Sequence, residues 1–189
     1  MENELPYPEH GKYGWLPILY DMIGKLKPKK IIEFGPGSGY TTIAMAKALQ
    51  KNNIEGHINS YDIWDDSYWG KQQTTQAEYG AWGVDSYITL ENLDFFEWIK
   101  DPVDFDFMYF DINNTSEKLI TLYNAVKSQI DNGSVIFFEG GSKVRDQAGH
   151  VGGNMYDIKE EIGYKILTGN VKYSASTIYN TEMYNLDFS

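Results

Sequence analysis

Three glycines and one acid in the first third of the chain have the spacing of a nucleotide-binding turn. Residues 31–42 read as a short apolar strand containing Glu33, a turn containing Gly35, Gly37 and Gly39, and the start of a helix. Glycine lets the backbone turn sharply, adopt positive φ and approach a ligand with no Cβ in the way. The pattern predicts a site for a nucleotide-like cofactor, formed by Glu33, Gly35, Pro36, Gly37, Ser38 and Gly39.

Two common nucleotide motifs do not match this turn. The Gly-x-Gly-x-x-Gly pattern of NAD and FAD sites needs its third glycine at position 40, which is Tyr40 here. A phosphate-binding Walker loop needs Gly-Lys-Ser or Gly-Lys-Thr after the turn, and neither follows. The glycine spacing therefore disfavours a nicotinamide enzyme.

The turn does resemble the first motif of class I S-adenosylmethionine-dependent methyltransferases, acidic-x-Gly-x-Gly-x-Gly, with Glu33 in the acidic place. The resemblance implies a Rossmann-like α/β fold with a mostly parallel seven-stranded sheet, helices on both faces and a C-terminal antiparallel hairpin. It also implies S-adenosylmethionine as cofactor and methyl transfer to a small-molecule acceptor, with oxygen as the first choice of acceptor atom. The alternatives are a protein of this fold that binds the cofactor without methyl transfer, and an NAD-binding oxidoreductase.

Strand-like and helix-like segments alternate along the chain, which is typical of an α/β domain with a parallel sheet. The glycine turn lies between the first strand and the second helix. The expected strands are 30–34, 57–63, 86–90, 105–110, 134–138, 164–167 and 176–179, and the expected helices are 15–27, 41–50, 71–80, 94–100, 115–130 and 155–162, with a polar loop after Glu139.

Acids and amides recur where the predicted strands end, and ligands of open parallel sheets bind at that edge. Asp62 lies 23 residues after Gly39, at a spacing where an acid can accept both hydroxyls of a ribose. The resemblance implies that Asn92, Asp94 and Phe95 lie on the adenine side. We expect Glu33 to act indirectly, by ordering the turn or the amino group of the methionine part.

Among the relatives, the catechol type of O-methyltransferase holds a divalent metal with acids after the fourth and fifth strands. Asp111 and Glu139 match these ligands, which predicts a Mg²⁺ site. Position 140 is Gly140, which supplies no side-chain oxygen.

A hydroxyl acceptor needs a base, because the oxygen must lose its proton as it attacks the methyl group. The candidates are His150, Asp111 and Lys143. Arg145, the only arginine in the chain, is a candidate for binding a carboxylate or phosphate of the substrate. We expect the N-terminal segment 1–14, the aromatic stretch 64–82 and the loop 140–154 to form the substrate pocket.

Composition and length limit the substrate class, the cellular location and the number of domains that we expect. The formal charge of −11 disfavours nucleic acid as a substrate, since a phosphate backbone attracts clustered Lys and Arg. The absence of cysteine and of a secretory signal predicts a cytoplasmic protein, and no apolar run is long enough to predict a membrane span. At 189 residues we expect a single domain, and a homodimer is compatible with the sequence.

Overall fold

The computed structural model describes residues 14–64, 71–147, 154–169 and 174–184. These residues form one seven-stranded sheet with helices on both faces. The strands are β1 (Lys30–Phe34), β2 (His57–Asp62), β3 (Ile88–Asn92), β4 (Phe107–Phe110), β5 (Val135–Glu139), β6 (Lys165–Thr168) and β7 (Ala175–Ile178).

The strand order is β3-β2-β1-β4-β5-β7-β6. Strands β1 to β5 are parallel, whereas β7 runs antiparallel to both β5 and β6. The order reverses beside β1, so the crevice next to this strand is where an open sheet of this kind binds ligands. The predicted fold class, with its C-terminal antiparallel pair, is confirmed.

The helices are α1 (Leu16–Leu26), α2 (Tyr40–Lys51), α3 (Gln72–Ala81), α4 (Phe95–Trp98), α5 (Ser116–Asp131), α6 (Lys143–Asp146) and α7 (Lys159–Ile162). Thr115 caps α5 by accepting a hydrogen bond from the Lys118 amide. Within the described ranges, no helix is both long and apolar enough to cross a membrane.

Alternate residues of the central strands enter two separate apolar layers, because successive side chains of a strand point to opposite faces. Ile31 packs with α1, α2 and α3 on one face, and Ile32 packs with α4, α5 and α7 on the other. Strand β4 is buried throughout, as expected for a strand covered on both faces. The sheet is thus held rigidly, and its carboxyl edge carries the predicted site.

Several elements differ from the sequence prediction in their bounds, and two of these differences lie near the carboxyl edge of the sheet. The third strand begins two residues later than expected, because Asp85–Tyr87 form a 3₁₀ turn, and Asn92 therefore belongs to the strand. The predicted polar loop after β5 contains the short helix α6. Ser142 caps this helix by accepting a hydrogen bond from the Arg145 amide, at 3.2 Å.

Candidate active site

Strand register brings the predicted acids into one row at the carboxyl edge of the sheet. Asp62 is the partner of Asn92, and the pairs Phe34–Tyr61, Phe34–Phe110 and Phe110–Phe138 place the next residue of each strand at the same level. The row reads Asn92, Asp62, Gly35, Asp111, Glu139, and we call it the carboxyl row. A glycine therefore lies between the two acids nearest the centre of the sheet.

Glu33 lies one pleat below this row and is completely buried. Its carboxylate accepts hydrogen bonds from the hydroxyls of Thr41 (2.7 Å), Thr42 (2.5 Å) and Ser60 (2.6 Å). Burial raises the pKa of Glu33, and the three hydroxyls oppose that rise. These bonds join β1, β2 and α2, so the side chain orders the glycine turn from beneath, in keeping with the indirect role predicted for it.

The glycine turn packs against protein at two of its three glycines. A Cβ at Gly35 would lie 1.9 Å from the carbonyl oxygen of Asp111, and one at Gly39 would lie 2.6 Å from the ring of Tyr79. Both glycines have positive φ, of 79° and 82°. The spacing predicts a sharp turn, positive φ and close approach of a ligand at these glycines, but at positions 35 and 39 the atoms in close approach belong to the protein itself.

Helix α3 covers the same turn from one side. The Thr75 hydroxyl donates to the carbonyl oxygen of Gly37 at 2.8 Å, and the Tyr79 hydroxyl donates to Thr42 at 2.9 Å. Thr75 and Tyr79 belong to the aromatic stretch 64–82 that the sequence predicts as part of the substrate pocket; the structure buries them against the glycine turn instead, and residues 65–70 of the stretch lie outside the described residues. The spacing of four residues between Thr75 and Tyr79, which puts both on one helix face, is the signal that could have predicted this packing.

Asp62, at the end of β2, lies beside the end of β3 at the carboxyl edge of the sheet. The Trp64 amide donates to Asp62 Oδ1 at 3.2 Å, and the exposed Asn92 donates its side-chain amide to the carbonyl oxygen of Ile63 at 3.3 Å. Asp94 caps α4 by accepting a hydrogen bond from the Phe96 amide at 2.7 Å. The structure thus brings Asp62, Asn92 and Asp94 together on the side where the resemblance places ribose and adenine.

Phe95, predicted on the adenine side, is a core residue with 3% exposure. Its ring packs against Phe34 and Phe110, at centroid distances of 5.6 Å and 5.2 Å. The apolar side chains that do face outward here are Ile63 (44% exposed) and Phe96 (45% exposed), which the sequence analysis did not select. Ile63 directly follows a strand and Phe96 lies at the start of a helix, so neither residue belongs to a periodic apolar pattern that would have predicted its exposure.

Asp111 follows β4 and is linked to the N-terminal helix through two aromatic side chains. The Tyr109 hydroxyl donates to Asp111 Oδ2 at 3.3 Å, and the Trp15 indole donates to the Tyr109 hydroxyl at 3.2 Å. Tyr109 and Asp111 are two residues apart and so share a face of the strand, a signal that the sequence analysis did not use. Buried Asn114 bridges the ends of β4 and β5 by donating to the carbonyl oxygens of Phe110 (3.1 Å) and Glu139 (2.8 Å).

Glu139, at the end of β5, forms an ion pair with Arg145 of α6. The guanidinium Nη2 and Nε lie 2.5 Å and 2.8 Å from the same oxygen, Glu139 Oε1. The side chains are 10% and 16% exposed. Arg145 Nη1 is also buried and has no hydrogen-bond partner among the described residues.

The turn between β5 and α6 is held by Asp146, another residue that the sequence analysis missed. Its carboxylate accepts hydrogen bonds from the amides of Gly141 (3.0 Å) and Tyr156 (2.7 Å). Gly140 has a φ of 97°, and a Cβ there would lie 2.4 Å from the methyl carbon of Met155. Glycine suits position 140 because this φ is strained for any other residue, and a side chain there would also have to displace the Met155 methyl group.

Asp111 and Glu139 are neighbours in the carboxyl row, and the charge of Glu139 raises the pKa of Asp111 in addition to burial. Burial is the main cause that raises the pKa of Asp111 well above its usual range, and the charge of Glu139 adds to it. Arg145 and the Tyr109 hydrogen bond oppose this rise. Burial also raises the pKa of Glu139, against the lowering effect of Arg145. A carboxyl group with a raised pKa is suited to proton transfer near neutral pH.

These contacts do not fit the predicted Mg²⁺ site. One oxygen of Glu139 is already bonded twice to a guanidinium, and Gly140 adds no oxygen. Within the described ranges, no group of three or more acids and histidines could hold a metal ion.

Of the two remaining catalytic candidates, the structure describes only Lys143. Lys143 is exposed on the first turn of α6. His150, and residues 1–13 of the candidate lid, lie outside the described residues. Asp111 is thus the one predicted base that the described structure places in the carboxyl row.

Comparison with known proteins agrees with this architecture. A family model described as a methyltransferase domain matches residues 32–139, which is more than half of the chain. No curated protein matches the sequence. The predicted enzyme class is confirmed, and a nicotinamide enzyme is not favoured.

Several solved structures have the same fold at low sequence identity. The O-methyltransferase TomG from Streptomyces achromogenes, involved in tomaymycin synthesis and solved with SAM, has a TM-score of 0.64 and 16% identity, with coverage of 88% of this chain and 80% of that chain. An O-methyltransferase from Bacillus cereus in complex with SAH has a TM-score of 0.65 and 13% identity, with coverage of 95% and 86%. A ribosomal protein L11 methylase from Lactobacillus delbrueckii subsp. bulgaricus has a TM-score of 0.61 and 18% identity, with coverage of 93% and 81%.

The family model begins inside β1, includes the glycine turn and all of the strand ends that form the carboxyl row, and stops at Glu139. The match therefore covers the part of the chain in which the geometry places the site. This chain belongs to the methyltransferase domain family.

Proposed function

We propose that this protein transfers a methyl group from S-adenosylmethionine to an oxygen atom of a small-molecule acceptor, as a single-domain cytoplasmic enzyme. The observation that carries the proposal is the carboxyl row, in which Gly35 separates Asp62 from Asp111. A bound nucleoside whose sugar lies at Asp62 would extend across Gly35 towards Asp111. The row then has a cofactor half and an acceptor half.

The cofactor half fits S-adenosylmethionine in its charge and shape. In this proposal Asp62 would accept hydrogen bonds from the ribose hydroxyls, and exposed Ile63 and Phe96 would provide apolar surface for the adenine. The Gly37–Ser38 part of the turn would contact the methionine end, since Gly35 and Gly39 already donate their amides to protein carbonyl groups. TomG and the Bacillus cereus enzyme were solved with SAM and SAH, which supports this choice of cofactor.

The acceptor half supplies a base. When bound, S-adenosylmethionine would supply a methyl group attached to a sulfonium, whose methyl carbon is open to in-line attack by a nucleophile with the neutral thioether as leaving group. We infer that the Asp111 carboxylate takes the proton of the acceptor hydroxyl as the oxygen forms its bond to the methyl carbon. Tyr109 and Asn114 hold this end of the sheet in place, so that the alignment needed for displacement is built in before the acceptor binds.

Calorimetric titration with S-adenosylhomocysteine and with NAD tests the proposal. We expect saturable binding of S-adenosylhomocysteine by the full chain and no binding of NAD. Binding of NAD alone would contradict the proposal. Binding of S-adenosylhomocysteine with no methylation of any phenol, hydroxy acid or amine in a radiolabelled assay would favour a cofactor-binding protein without turnover.

A further inference from the structure

The ion pair of Glu139 and Arg145 occupies the place where the resemblance to the catechol type puts a metal ion. We propose that Arg145, in place of a divalent cation, binds the reacting oxygen of the acceptor through its Nη1 atom. The acceptor class would then be a molecule with an acidic hydroxyl, such as a phenol. This inference rests on the proposed methyl transfer and specifies the acceptor half of the same site.

The geometry of the guanidinium leaves one nitrogen for a ligand. Nη2 and Nε both lie within hydrogen-bond distance of Glu139 Oε1, so this edge of the group is used. Nη1 is buried without a partner, although it carries two N–H groups. A buried donor without an acceptor is costly, and a bound ligand oxygen would remove that cost.

The nearest acids do not compete for this nitrogen. Glu139 accepts from the other edge of the guanidinium, and both oxygens of Asp146 accept from backbone amides. Asp111 is the neighbour of Glu139 in the carboxyl row, and Glu139 is bonded to Arg145, so the guanidinium lies on the same side of the row as the proposed base. A single free nitrogen beside a carboxylate base suits one oxygen atom that is losing its proton.

A cation in the same place would meet two obstacles. Arginine stays protonated, so a divalent ion bonded to Glu139 would lie next to a permanent positive charge. The second oxygen that the catechol type supplies is absent at Gly140, where Met155 fills the space of any side chain. The positive charge needed beside the acceptor is therefore already part of the chain.

The proposed step conserves charge and atoms. The acceptor hydroxyl gives its proton to the Asp111 carboxylate, and the negative charge left on the oxygen is stabilised by Arg145 Nη1. A lone pair of this oxygen forms the bond to the methyl carbon, and the electrons of the methyl–sulfur bond remain on sulfur. An acidic hydroxyl is required because a carboxylate, even with a raised pKa, is a weak base.

Absorbance titration with 4-nitrophenol as a probe tests the role of Arg145. The full chain, saturated with S-adenosylhomocysteine, is titrated below the pKa of the free phenol, and the phenolate band is followed. We expect a saturable increase of this band in the wild type, at least about tenfold weaker binding in Arg145→Gln, and partial recovery in Arg145→Lys. Lys127→Gln, on the far end of α5, is the matched control and should behave as the wild type.

The outcomes separate this inference from the proposed function. Absence of a saturable band in the wild type, or an unchanged band in Arg145→Gln with normal S-adenosylhomocysteine affinity, would overturn the role of Arg145 alone. Failure of the wild type to bind S-adenosylhomocysteine would overturn both proposals. Electron paramagnetic resonance with Mn²⁺ gives a second reading: we expect no specific binding, and stoichiometric Mn²⁺ that is lost in Asp111→Asn would contradict the replacement of the metal.

Discussion

The two halves of the carboxyl row are built in different ways. Beside β1 and β2, the buried carboxylate of Glu33 is surrounded by hydroxyl donors, and glycines pack directly on backbone and ring atoms. Beside β4 and β5, the acids Asp111 and Glu139 are neighbours, and Glu139 is paired with a guanidinium whose last nitrogen has no hydrogen-bond partner in the part of the chain that the structure describes. The cofactor half is thus a fixed backbone frame, whereas the acceptor half is a set of charges whose hydrogen bonds are incomplete until a ligand is present.

The largest expected effect is a loss of stability on substitution of a packed glycine in the cofactor half. Gly35→Ala should destabilise the fold by about 2 to 6 kcal/mol, because the new Cβ meets the Asp111 carbonyl at 1.9 Å and φ is positive. Urea denaturation measures this change. Gly80→Ala in α3 is the matched control, since a Cβ there meets nothing within 4 Å, and this variant should be as stable as the wild type or slightly more stable. Equal stability of the two variants would show that the turn is not a packed frame.

A smaller effect is expected where the frame meets the ligand. Asp62→Ala should weaken the binding of S-adenosylhomocysteine by about 1 to 3 kcal/mol, the range for a lost hydrogen bond to a charged group. Calorimetry measures this loss, with Asp104→Ala, an exposed acid outside the row, as the control. Unchanged affinity in Asp62→Ala would mean that another residue binds the ribose.

The smallest effect concerns the charges of the acceptor half. Asp111 must be deprotonated to act as a base, so kcat/KM should rise with pH through its pKa. Burial and the charges of Glu139 and Glu33 raise that pKa. The Tyr109 hydrogen bond and the charge of Arg145 lower it. Glu139→Gln removes a charge that raises the pKa, so the rising limb should move to lower pH. A limb that moves to higher pH, or stays in place, would contradict the assignment of Asp111 as the base.

The sequence predicted the first half of the row better than the second. The glycine turn, Glu33 and Asp62 follow from spacing, because backbone conformation and strand length determine where they lie. The metal prediction depended on residue type alone and did not include Arg145, which reaches Glu139 only because α6 forms after the turn at Gly140. Phe95 was predicted on the adenine side because it follows Asp94. On the four-residue helix α4, however, Phe95 points into the core and Phe96 points outward.

Contacts between distant parts of the chain were also beyond the sequence patterns. Tyr109 connects Asp111 with Trp15, which is 94 residues away from Tyr109 along the chain. Asp146 holds the Tyr156 amide across a segment with no regular periodicity. These hydrogen bonds join residues that are far apart along the chain. The periodicity of apolar residues within a single strand or helix does not predict such contacts.

A crystal structure of the complex with S-adenosylhomocysteine tests the central claim most directly. We expect the ribose hydroxyls within hydrogen-bond distance of the Asp62 carboxylate, the nucleoside passing over Gly35, and the sulfur on the side of Asp111. A ribose bound away from Asp62, or a sulfur on the β3 side of the row, would contradict the division of the site into a cofactor half and an acceptor half.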